Sequence, residues 1–315
     1  MKHIEEYIVP TQAKLFKMLC RDYQGKALKC KDSFILVKGN APIMLVAHLD
    51  TVHAEPVQVI CKSADGNILM SPQGIGGDDR CGVYALNKIY EQAAKKPFLL
   101  FTCDEEIGGV GADQFCYEYE LGVLPKELNN LKCLIEIDRK GANDAVYYNC
   151  DNAKFEKYIS SKGFKTASGS FSDISVIAPT LGVAAVNLSS GYYNAHTQHE
   201  YINLAELETT INKVAEIVDD ASTPNFPKFH YVPKKDFLLK FSKTIFDAPP
   251  TEPKKNLPKG YEREFLALLD IYYEKELREY CKEFGNDILS ELYRQEFGHS
   301  IDNEEYIIFD EGYER

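Results

Sequence analysis

The stretch Gly74-Ile75-Gly76-Gly77-Asp78-Asp79-Arg80-Cys81-Gly82 joins a glycine-rich segment to two adjacent aspartates, and apolar residues at helical spacing follow it. Glycine tolerates backbone angles that other residues avoid, so the stretch predicts a loop that ends a strand and begins a helix. Two neighbouring carboxylates repel each other unless a cation lies beside them. An aspartate-rich helix cap is the alternative interpretation, and the other candidate ligands in the chain decide between the two.

Apolar segments alternate with helical patterns along most of the chain. The predicted strands of the sheet are 33–37, 43–47, 98–102, 134–137 and 183–188. The second of them, 43–47, is almost wholly apolar, as expected of a strand covered on both faces. The predicted helices include 10–23, the segment after the glycine loop, and 204–218. This alternation predicts an α/β fold, a three-layer α/β/α arrangement with a mixed, mostly parallel central sheet.

Composition divides the chain into three parts. Residues 1–246 form the predicted main domain, 247–258 are a linker rich in proline and charge, and 259–315 are an acidic extension with helical spacing. The formal net charge is −12, and the 16 acidic and 7 basic residues of 259–315 account for −9 of it. Because phosphates would be repelled, this charge argues against nucleic acid as a partner.

The sequence also bears on location. No apolar run approaches the length of a membrane span, and the first residues do not resemble a signal peptide. Nine cysteines are scattered without a CxxC pair, which predicts reduced thiols and a cytoplasmic protein. The oligomeric state is left open.

Five successive strand ends or nearby loops carry a histidine, an aspartate or a glutamate. These residues are His48 and Asp50, Asp78 and Asp79, Glu105 and Glu106, Asp138, and His196, His199 and Glu200. Each group alone has a plain structural interpretation, such as a surface turn or a solvated helix start. Together, imidazole and carboxylate groups at the strand ends of one sheet favour two divalent metal ions, with zinc first and cobalt or manganese as alternatives.

These motifs resemble those of the zinc-dependent exopeptidases. The matching segments run from His48 to Glu200 and are His48-Leu49-Asp50-Thr51-Val52, Gly77-Asp78-Asp79-Arg80-Cys81-Gly82, Asp104-Glu105-Glu106-Ile107-Gly108, Asp138 and His196-Thr197-Gln198-His199-Glu200. The group includes di-zinc aminopeptidases, peptidase T and carboxypeptidase G-like amidohydrolases. The detail around His48 and Glu105 is most similar to peptidase T.

The resemblance implies five metal ligands and makes residues 1–246 a catalytic domain. Asp78 would bridge the two metals, His48 and Asp138 would complete one site, and Glu106 and His196 would complete the other. His196 is preferred to the nearby His199 because it stands four residues before Glu200, as the family spacing requires.

The resemblance also implies the roles of two further residues. Glu105 would be the general base that takes a proton from a metal-activated water. Asp50 would hydrogen-bond the far nitrogen of His48 and orient the ring. His53 and His199 are interpreted as pocket-wall or surface residues.

The chain departs from many of these relatives between Asp138 and His196. Relatives often insert a dimerisation lid there, whereas residues 139–195 leave room for little more than a βαβ unit, which predicts a lidless form. Because a lidded relative can take an oxyanion donor from its lid, Tyr192 or Tyr193 is the candidate donor here. Both tyrosines could instead serve in packing alone.

Two further side chains are candidates for substrate binding. Arg139 could grip a substrate carboxylate or belong to a surface pair. Asp173 lies in a segment that resembles a substrate-side loop of the family, where a carboxylate could meet a free amine. An N-cap of a helix is the favoured interpretation for Ser172 or Asp173.

The favoured function is therefore that of an aminopeptidase that hydrolyses short peptides. An amidohydrolase that removes an acyl group from an amino acid would use the same metals and base, and the sequence leaves this alternative open. A non-catalytic relative that binds partners through its acidic helices is disfavoured, because all five implied ligands and Glu105 are present.

Overall fold

The computed structural model describes residues 2–31, 33–234, 281–282 and 285–297. The chain divides into two compact units, Met1–Leu239 and Lys240–Arg315.

The described residues of the first unit contain twelve strands. In chain order they are β1 (Ala27–Lys31), β2 (Phe34–Val37), β3 (Ile43–His48), β4 (Cys61–Lys62), β5 (Ile68–Met70), β6 (Phe98–Thr102), β7 (Cys133–Arg139), β8 (Asp144–Val146), β9 (Lys165–Ala167), β10 (Ala185–Ser189), β11 (Tyr192–Tyr193) and β12 (Tyr201–Asn203).

Seven α-helices and one short 3₁₀ segment, Lys126–Asn130, are described in the same unit. The helices are α1 (Glu5–Ile8), α2 (Gln12–Asp22), α3 (Gly77–Gln92), α4 (Val110–Glu120), α5 (Ala153–Ser161), α6 (Ile174–Leu181) and α7 (Leu204–Ala221).

The main sheet has eight described strands in the order β1-β2-β6-β3-β7-β10-β8-β9. Its centre is parallel, because β3 pairs in parallel with both β6 and β7, and β10 pairs in parallel with β7. The pairings of β1 with β2, β2 with β6, and β10 with β8 are antiparallel. A second, four-stranded antiparallel sheet has the order β11-β12-β5-β4.

Helices cover both faces of the main sheet. On one face, the inward residues of β3 and β7 pack with α2, α3, α5 and α7 in one apolar core. On the other face, the alternate residues of the same strands pack with α4 and α6. Every residue of β3 and β6 is buried, as expected of strands with a helical layer on each side. The predicted α/β class with a mixed, mostly parallel sheet is confirmed.

Residues 139–195 belong to this sheet rather than to a separate lid. They contain β8, α5 and β9, which form a βαβ unit with β8 parallel to β9, and continue through α6 into β10. The lidless arrangement predicted from the length of this segment therefore agrees with the fold.

The predicted linker 247–258 and most of the extension 259–315 lie outside the described residues, so these domain boundaries stay predictions. Within the second unit, the structure describes one further helix, α8 (Ile288–Phe297). Among the described helices, none combines the length and the hydropathy needed to cross a bilayer.

Among the described cysteines, Cys20 differs from the expectation. Cys20 is disulfide-bonded, so the prediction of reduced thiols throughout is wrong there. Cys61, Cys81, Cys116, Cys133 and Cys150 carry free thiols.

Helix α4 approaches the sheet so closely that only a glycine fits at Gly111. A Cβ atom at this position would lie 2.5 Å from the carbonyl oxygen of Ser33 and 2.6 Å from the main-chain nitrogen of Cys103. The Gly111 N–H also donates to the carbonyl oxygen of Cys103 over 2.9 Å. This contact holds together the two ends of the loop that carries Glu105 and Glu106, because Cys103 precedes the loop and Gly111 follows it.

We predict that Gly111→Ala lowers the free energy of unfolding by about 1–3 kcal/mol, because main-chain atoms would have to move to admit the methyl group. Chemical denaturation measures the change. Glu120→Ala, at an exposed position of the same helix, is the matched control and should have little effect. Equal stability of the two variants would contradict the close approach.

Candidate metal centre

The predicted ligands emerge where the parallel strands of the sheet end. His48 is the last residue of β3, Asp138 lies near the end of the adjacent β7, and Glu105 and Glu106 follow β6 on the other side of β3. Carboxyl ends of parallel strands meet at one edge of a sheet, which is where ligands bind in open α/β folds.

The glycine loop delivers Asp78 to the same edge. Gly74 and Gly76 have φ of +85° and +64°, in the left-handed region that favours glycine. Asp78 and Asp79 have non-helical angles before the regular part of α3, and the peptide bond between them is cis. The prediction of a loop that leads into a helix is confirmed.

The Asp78 carboxylate lies between two histidines that are distant in sequence. Its Oδ1 is 3.2 Å from Nε2 of His48, and its Oδ2 is 3.3 Å from Nε2 of His196. Each carboxylate oxygen therefore faces a different imidazole. This arrangement suits a bridging carboxylate, the role that the resemblance implies for Asp78.

Glu106 and Asp138 complete the cluster on opposite sides. Glu106 Oε2 is 3.2 Å from Nε2 of His196, and Asp138 Oδ1 is 3.6 Å from Nε2 of His48. Glu106 Oε1 and Asp138 Oδ1 are buried and have no hydrogen-bond partner among the described residues. Unpartnered buried carboxylate oxygens beside imidazole nitrogens fit a divalent cation, which would supply the missing partner.

Two groups of three residues could each hold a metal ion, because the potential ligand atoms inside each group lie within 4.8 Å of one another. The first group is His48, Asp78 and Glu106, and the second is His48, Asp79 and Asp138. Asp79 was not predicted as a ligand. Its carboxylate accepts the main-chain N–H of His48 at 3.2 Å and that of Gly82 at 2.9 Å. These contacts give Asp79 a structural role in joining β3 to α3.

Arg80 is a buried cation beside this region. It is 4% exposed, and its Nη1 donates to the carbonyl oxygens of Tyr7 at 2.6 Å and Pro10 at 2.8 Å. Burial lowers the pKa of Arg80 to about 10, against the opposing effect of the Asp50 and Asp79 charges. Its charge thus partly offsets these two carboxylates.

Asp50 holds two parts of the site at once. Its Oδ1 lies 3.2 Å from Nδ1 of His48, the ring nitrogen that faces away from Asp78. The main-chain N–H of Glu105 donates to Oδ1 at 3.1 Å and that of Glu106 to Oδ2 at 3.0 Å. Asp50 therefore occupies the place predicted for an orienting residue, and it also fixes the turn that carries both glutamates.

The Glu105 carboxylate differs from its neighbours. Within the part of the chain that the structure describes, only its main chain has a hydrogen-bond partner. Burial raises the pKa of this carboxyl. A half-buried carboxylate with free acceptor sites beside a metal cluster is suited to accept a proton.

Crowding of negative charge dominates the electrostatics of the cluster. Burial raises the pKa of Glu106 to about 7, and the Asp78 charge adds to the rise. Burial and the Asp78 charge also raise the pKa of Asp138 well above its ordinary value. Burial opposes ionisation of Asp78 too, but hydrogen bonds from His196 and His48 lower its pKa overall. A divalent cation among these groups would relieve their mutual repulsion.

His196 is brought to the cluster and His199 is not. His196 reaches both Asp78 and Glu106, and its backbone has a φ of +64°, which is uncommon outside glycine. Its side chain is 53% exposed, so it lies at the solvent side of the cluster. His199 is exposed, as the interpretation of it as a surface residue requires.

Sequence reasoning missed two pairs of contacts near the cluster. Glu200, to which the sequence analysis gave no role of its own, is fully buried and contacts His53 and the glycine loop. Asn187 in β10 accepts the Asp138 N–H at 2.9 Å and donates to Asp138 Oδ2 at 3.3 Å. No local pattern predicts these pairs, because each joins segments far apart in the chain.

The two candidate tyrosines differ in position. Tyr192 is 4% exposed and donates its hydroxyl to the main-chain carbonyl of Asp138 at 3.0 Å, which places it beside the cluster. Tyr193 donates to Glu206 at 2.6 Å and stacks on Tyr201, so its contacts lie with α7 and β12. The proposed role of either hydroxyl as an oxyanion donor stays a prediction.

Arg139 follows Asp138 but makes contacts of its own. Its Nη2 donates to the carbonyl oxygen of Ser168 at 3.2 Å, and its Nε lies 3.8 Å from a carboxylate oxygen of Asp144. The guanidinium is therefore partly neutralised. Its role in holding a substrate carboxylate stays a prediction.

Asp173 is fully buried. Its Oδ2 accepts the hydroxyl of Thr102, and its Oδ1 has no hydrogen-bond partner in the described part of the chain. Although Asp173 occupies the N-cap position of α6, its side chain does not cap the helix, and the Ser172 hydroxyl donates to Glu136 instead. The N-cap interpretation of these side chains is wrong, because both face buried polar groups of the sheet. The role of Asp173 toward a substrate amine stays a prediction.

No family model matches the sequence, and no curated protein matches it either. Solved structures do resemble it. A tripeptidase from Staphylococcus aureus has a TM-score of 0.52 and 14% identity, over 70% of this chain and 96% of the tripeptidase. Aminopeptidase PepT from Bacillus cereus also has a TM-score of 0.52 and 14% identity, over 70% of this chain and 98% of PepT.

A TET aminopeptidase from a marine sediment thaumarchaeon has a TM-score of 0.52 and 12% identity, over 68% of this chain and 96% of that protein. At these identities the likeness is one of fold. The chain therefore has the fold of these peptidases, in agreement with the resemblance of its motifs.

Burial raises the pKa of Asp173 to about 7, whereas an unfolded aspartate titrates near about 4. Between these values the folded protein holds a proton that the unfolded chain has lost, so stability falls as pH rises from about 4 to about 7. An asparagine side chain at this position would not ionise. We therefore predict that the melting temperature of Asp173→Asn, relative to that of the wild type, is higher at pH 8 than at pH 5.

Thermal unfolding at both pH values measures this difference. Asp113→Asn, at an exposed position of α4, is the control and should give the same shift at each pH. A shift for Asp173→Asn that is independent of pH would contradict a raised pKa at this position.

Proposed function

We propose that the protein is a metal-dependent exopeptidase, an aminopeptidase that hydrolyses short peptides with Glu105 as general base. The observation that carries the proposal is the position of Asp78, with one carboxylate oxygen facing His48 and the other facing His196. The fold shared with a tripeptidase and with aminopeptidases supports the same class of reaction. The peptide would be the natural partner, the location is proposed to be cytoplasmic, and the oligomeric state is left open.

Two divalent metal ions, zinc in the first place, would be held by five residues. His48 and Asp138 would bind one, Glu106 and His196 would bind the other, and Asp78 would bind both. The oxygens of Glu106 and Asp138 that lack a partner among the described residues support this assignment. When bound, such ions supply a Lewis acid that activates water and polarises a carbonyl group.

The chain's own residues would then perform the proton transfer. The Glu105 carboxylate has no hydrogen-bond partner among the described residues, and its raised pKa favours accepting a proton and releasing it to the leaving amine. Asp50 fixes Glu105 through its main-chain N–H and orients His48 through Nδ1. One buried carboxylate thus contacts both the proposed proton acceptor and His48, one of the proposed ligands.

We predict that Glu105→Gln lowers kcat by about 10²- to 10⁴-fold, because the amide has a similar shape but cannot accept the proton. Its metal content should equal that of the wild type. Glu106→Gln is the matched comparison, since it alters the adjacent carboxylate and should lower metal content as well as rate. Near-normal turnover by Glu105→Gln would remove Glu105 from its role.

The substrate class is tested with one panel of short peptides that carry either free or N-acetylated amino termini. We expect zinc- or cobalt-loaded protein to cleave only the peptides with a free amine, and a chelator to abolish the reaction. Preference for acylated substrates would assign the alternative, an N-acyl amino acid amidohydrolase with the same site. No turnover of either class by metal-loaded protein would contradict the proposed substrate class.

A further inference from the structure

Glu200 makes three hydrogen bonds, two to the main chain of the glycine loop and one to the side chain of His53. Its Oε2 accepts the main-chain N–H of Gly76 at 3.0 Å, and its Oε1 accepts the main-chain N–H of Asp78 at 3.0 Å. Oε2 also lies 2.8 Å from Nε2 of His53. The residue is fully buried, so bulk water does not compete for these bonds.

His53 packs against the start of the same loop. A Cβ atom on Gly74 would lie 2.2 Å from Cε1 of His53, so the imidazole fills the space that a side chain at this position would need. The His53 side chain is 11% exposed. The ring therefore supports the loop by contact and supports Glu200 by a hydrogen bond.

We infer that Glu200 and His53 are positioning residues that hold the Asp78 carboxylate between His48 and His196 and thereby set the affinity of both metal sites. We refer to Glu200 and His53 as the loop clamp. The inference rests on the proposed function in one respect, namely that Asp78 binds both metals.

The positions of the clamp residues in the chain explain why the clamp would affect both metal sites. Glu200 stands four residues after His196, so its carboxylate ties the segment that carries His196 to the loop that carries Asp78. Fixing these two segments fixes the 3.3 Å approach of Asp78 Oδ2 to His196 Nε2. Because the two Asp78 oxygens belong to one rigid group, a displacement of its main chain moves the Oδ1 contact to His48 as well.

Other buried carboxylates hold different parts of the site. Asp50 binds His48 and the turn of Glu105 and Glu106, and Asp79 binds the main chain of His48 and Gly82. The loop clamp is thus the described contact that acts on the main chain of Asp78 itself. Removing it should leave the orientation of His48 and Glu105 intact.

Glu200→Gln tests the clamp with little change in shape. A glutamine side chain retains one acceptor oxygen but replaces the other with an NH₂ group, which would face an N–H donor. We expect the affinity for zinc to fall by about 10- to 100-fold at both sites together, as is typical when a group that orients a ligand is lost. Competition with a chromophoric zinc chelator measures both affinities without any assay of activity.

His53 supplies a graded second test. His53→Ala removes the bond to Glu200 and should weaken both zinc sites. His53→Gln has an N–H donor on a side chain longer than that of alanine, so it should recover part of the zinc affinity. This pair of variants decides the question if Glu200→Gln does not fold. Equal zinc affinity of His53→Ala and the wild type would then overturn the clamp.

Tyr23→Phe is the control for a loss of buried hydrogen bonding alone. The Tyr23 hydroxyl donates to Asn87 at 2.8 Å, between α2 and α3 and away from the cluster. This variant should lower the melting temperature without changing zinc affinity.

The possible outcomes separate the clamp from the metal site. Folded Glu200→Gln with wild-type affinity at both sites overturns the clamp and leaves the metal site standing. Weakening of a single site overturns the shared effect through Asp78. A wild-type protein that binds no divalent metal overturns the proposed site itself.

Discussion

The constraint on which this structure depends is the concentration of carboxylates at one buried edge of the sheet. Asp78, Asp79, Asp138 and Glu106 lie within a few ångströms of two imidazoles, and burial weakens the solvation that would normally separate like charges. Arg80 is a buried cation next to them, and carbonyl oxygens already occupy its Nη1. The cluster is therefore most stable with additional positive charge, which is the physical basis for assigning it to metal ions.

A common device holds the segments around this edge. Asp50, Asp79 and Glu200 each bind main-chain N–H groups of another segment, and together they fix the turn of Glu105 and Glu106, the end of β3 and the glycine loop. Charged acceptors make strong bonds to N–H groups in a buried setting. Each such bond also partly offsets the negative charge of its own carboxylate. Carboxylates thus serve twice at this site, as candidate ligands and as the groups that hold the surrounding segments in place.

The sequence predicted the features that depend on local pattern. Continuous apolar runs located β3 and β6, and the glycines located the loop before α3. The preference for His196 over His199 came from the spacing of the motif that the chain resembles. The long-range pairs could not be predicted, because nothing near His53 indicates that it meets Glu200. The same reason explains Asp173, whose local sequence is typical of an N-cap although its side chain binds Thr102 in another segment. The disulfide at Cys20 likewise depends on tertiary proximity.

The two candidate histidine ligands differ in how far their side chains are exposed to solvent. The His48 side chain is 1% exposed and that of His196 is 53% exposed. An ion on the His196 side would thus exchange with the medium more rapidly than one on the His48 side, because a single rotation of a solvent-facing ring opens its coordination. Under the proposed two-ion assignment, the two positions would then differ in exchange rate rather than in the types of ligand. A chelator added to protein with both proposed positions filled would then remove the outer ion before the inner one.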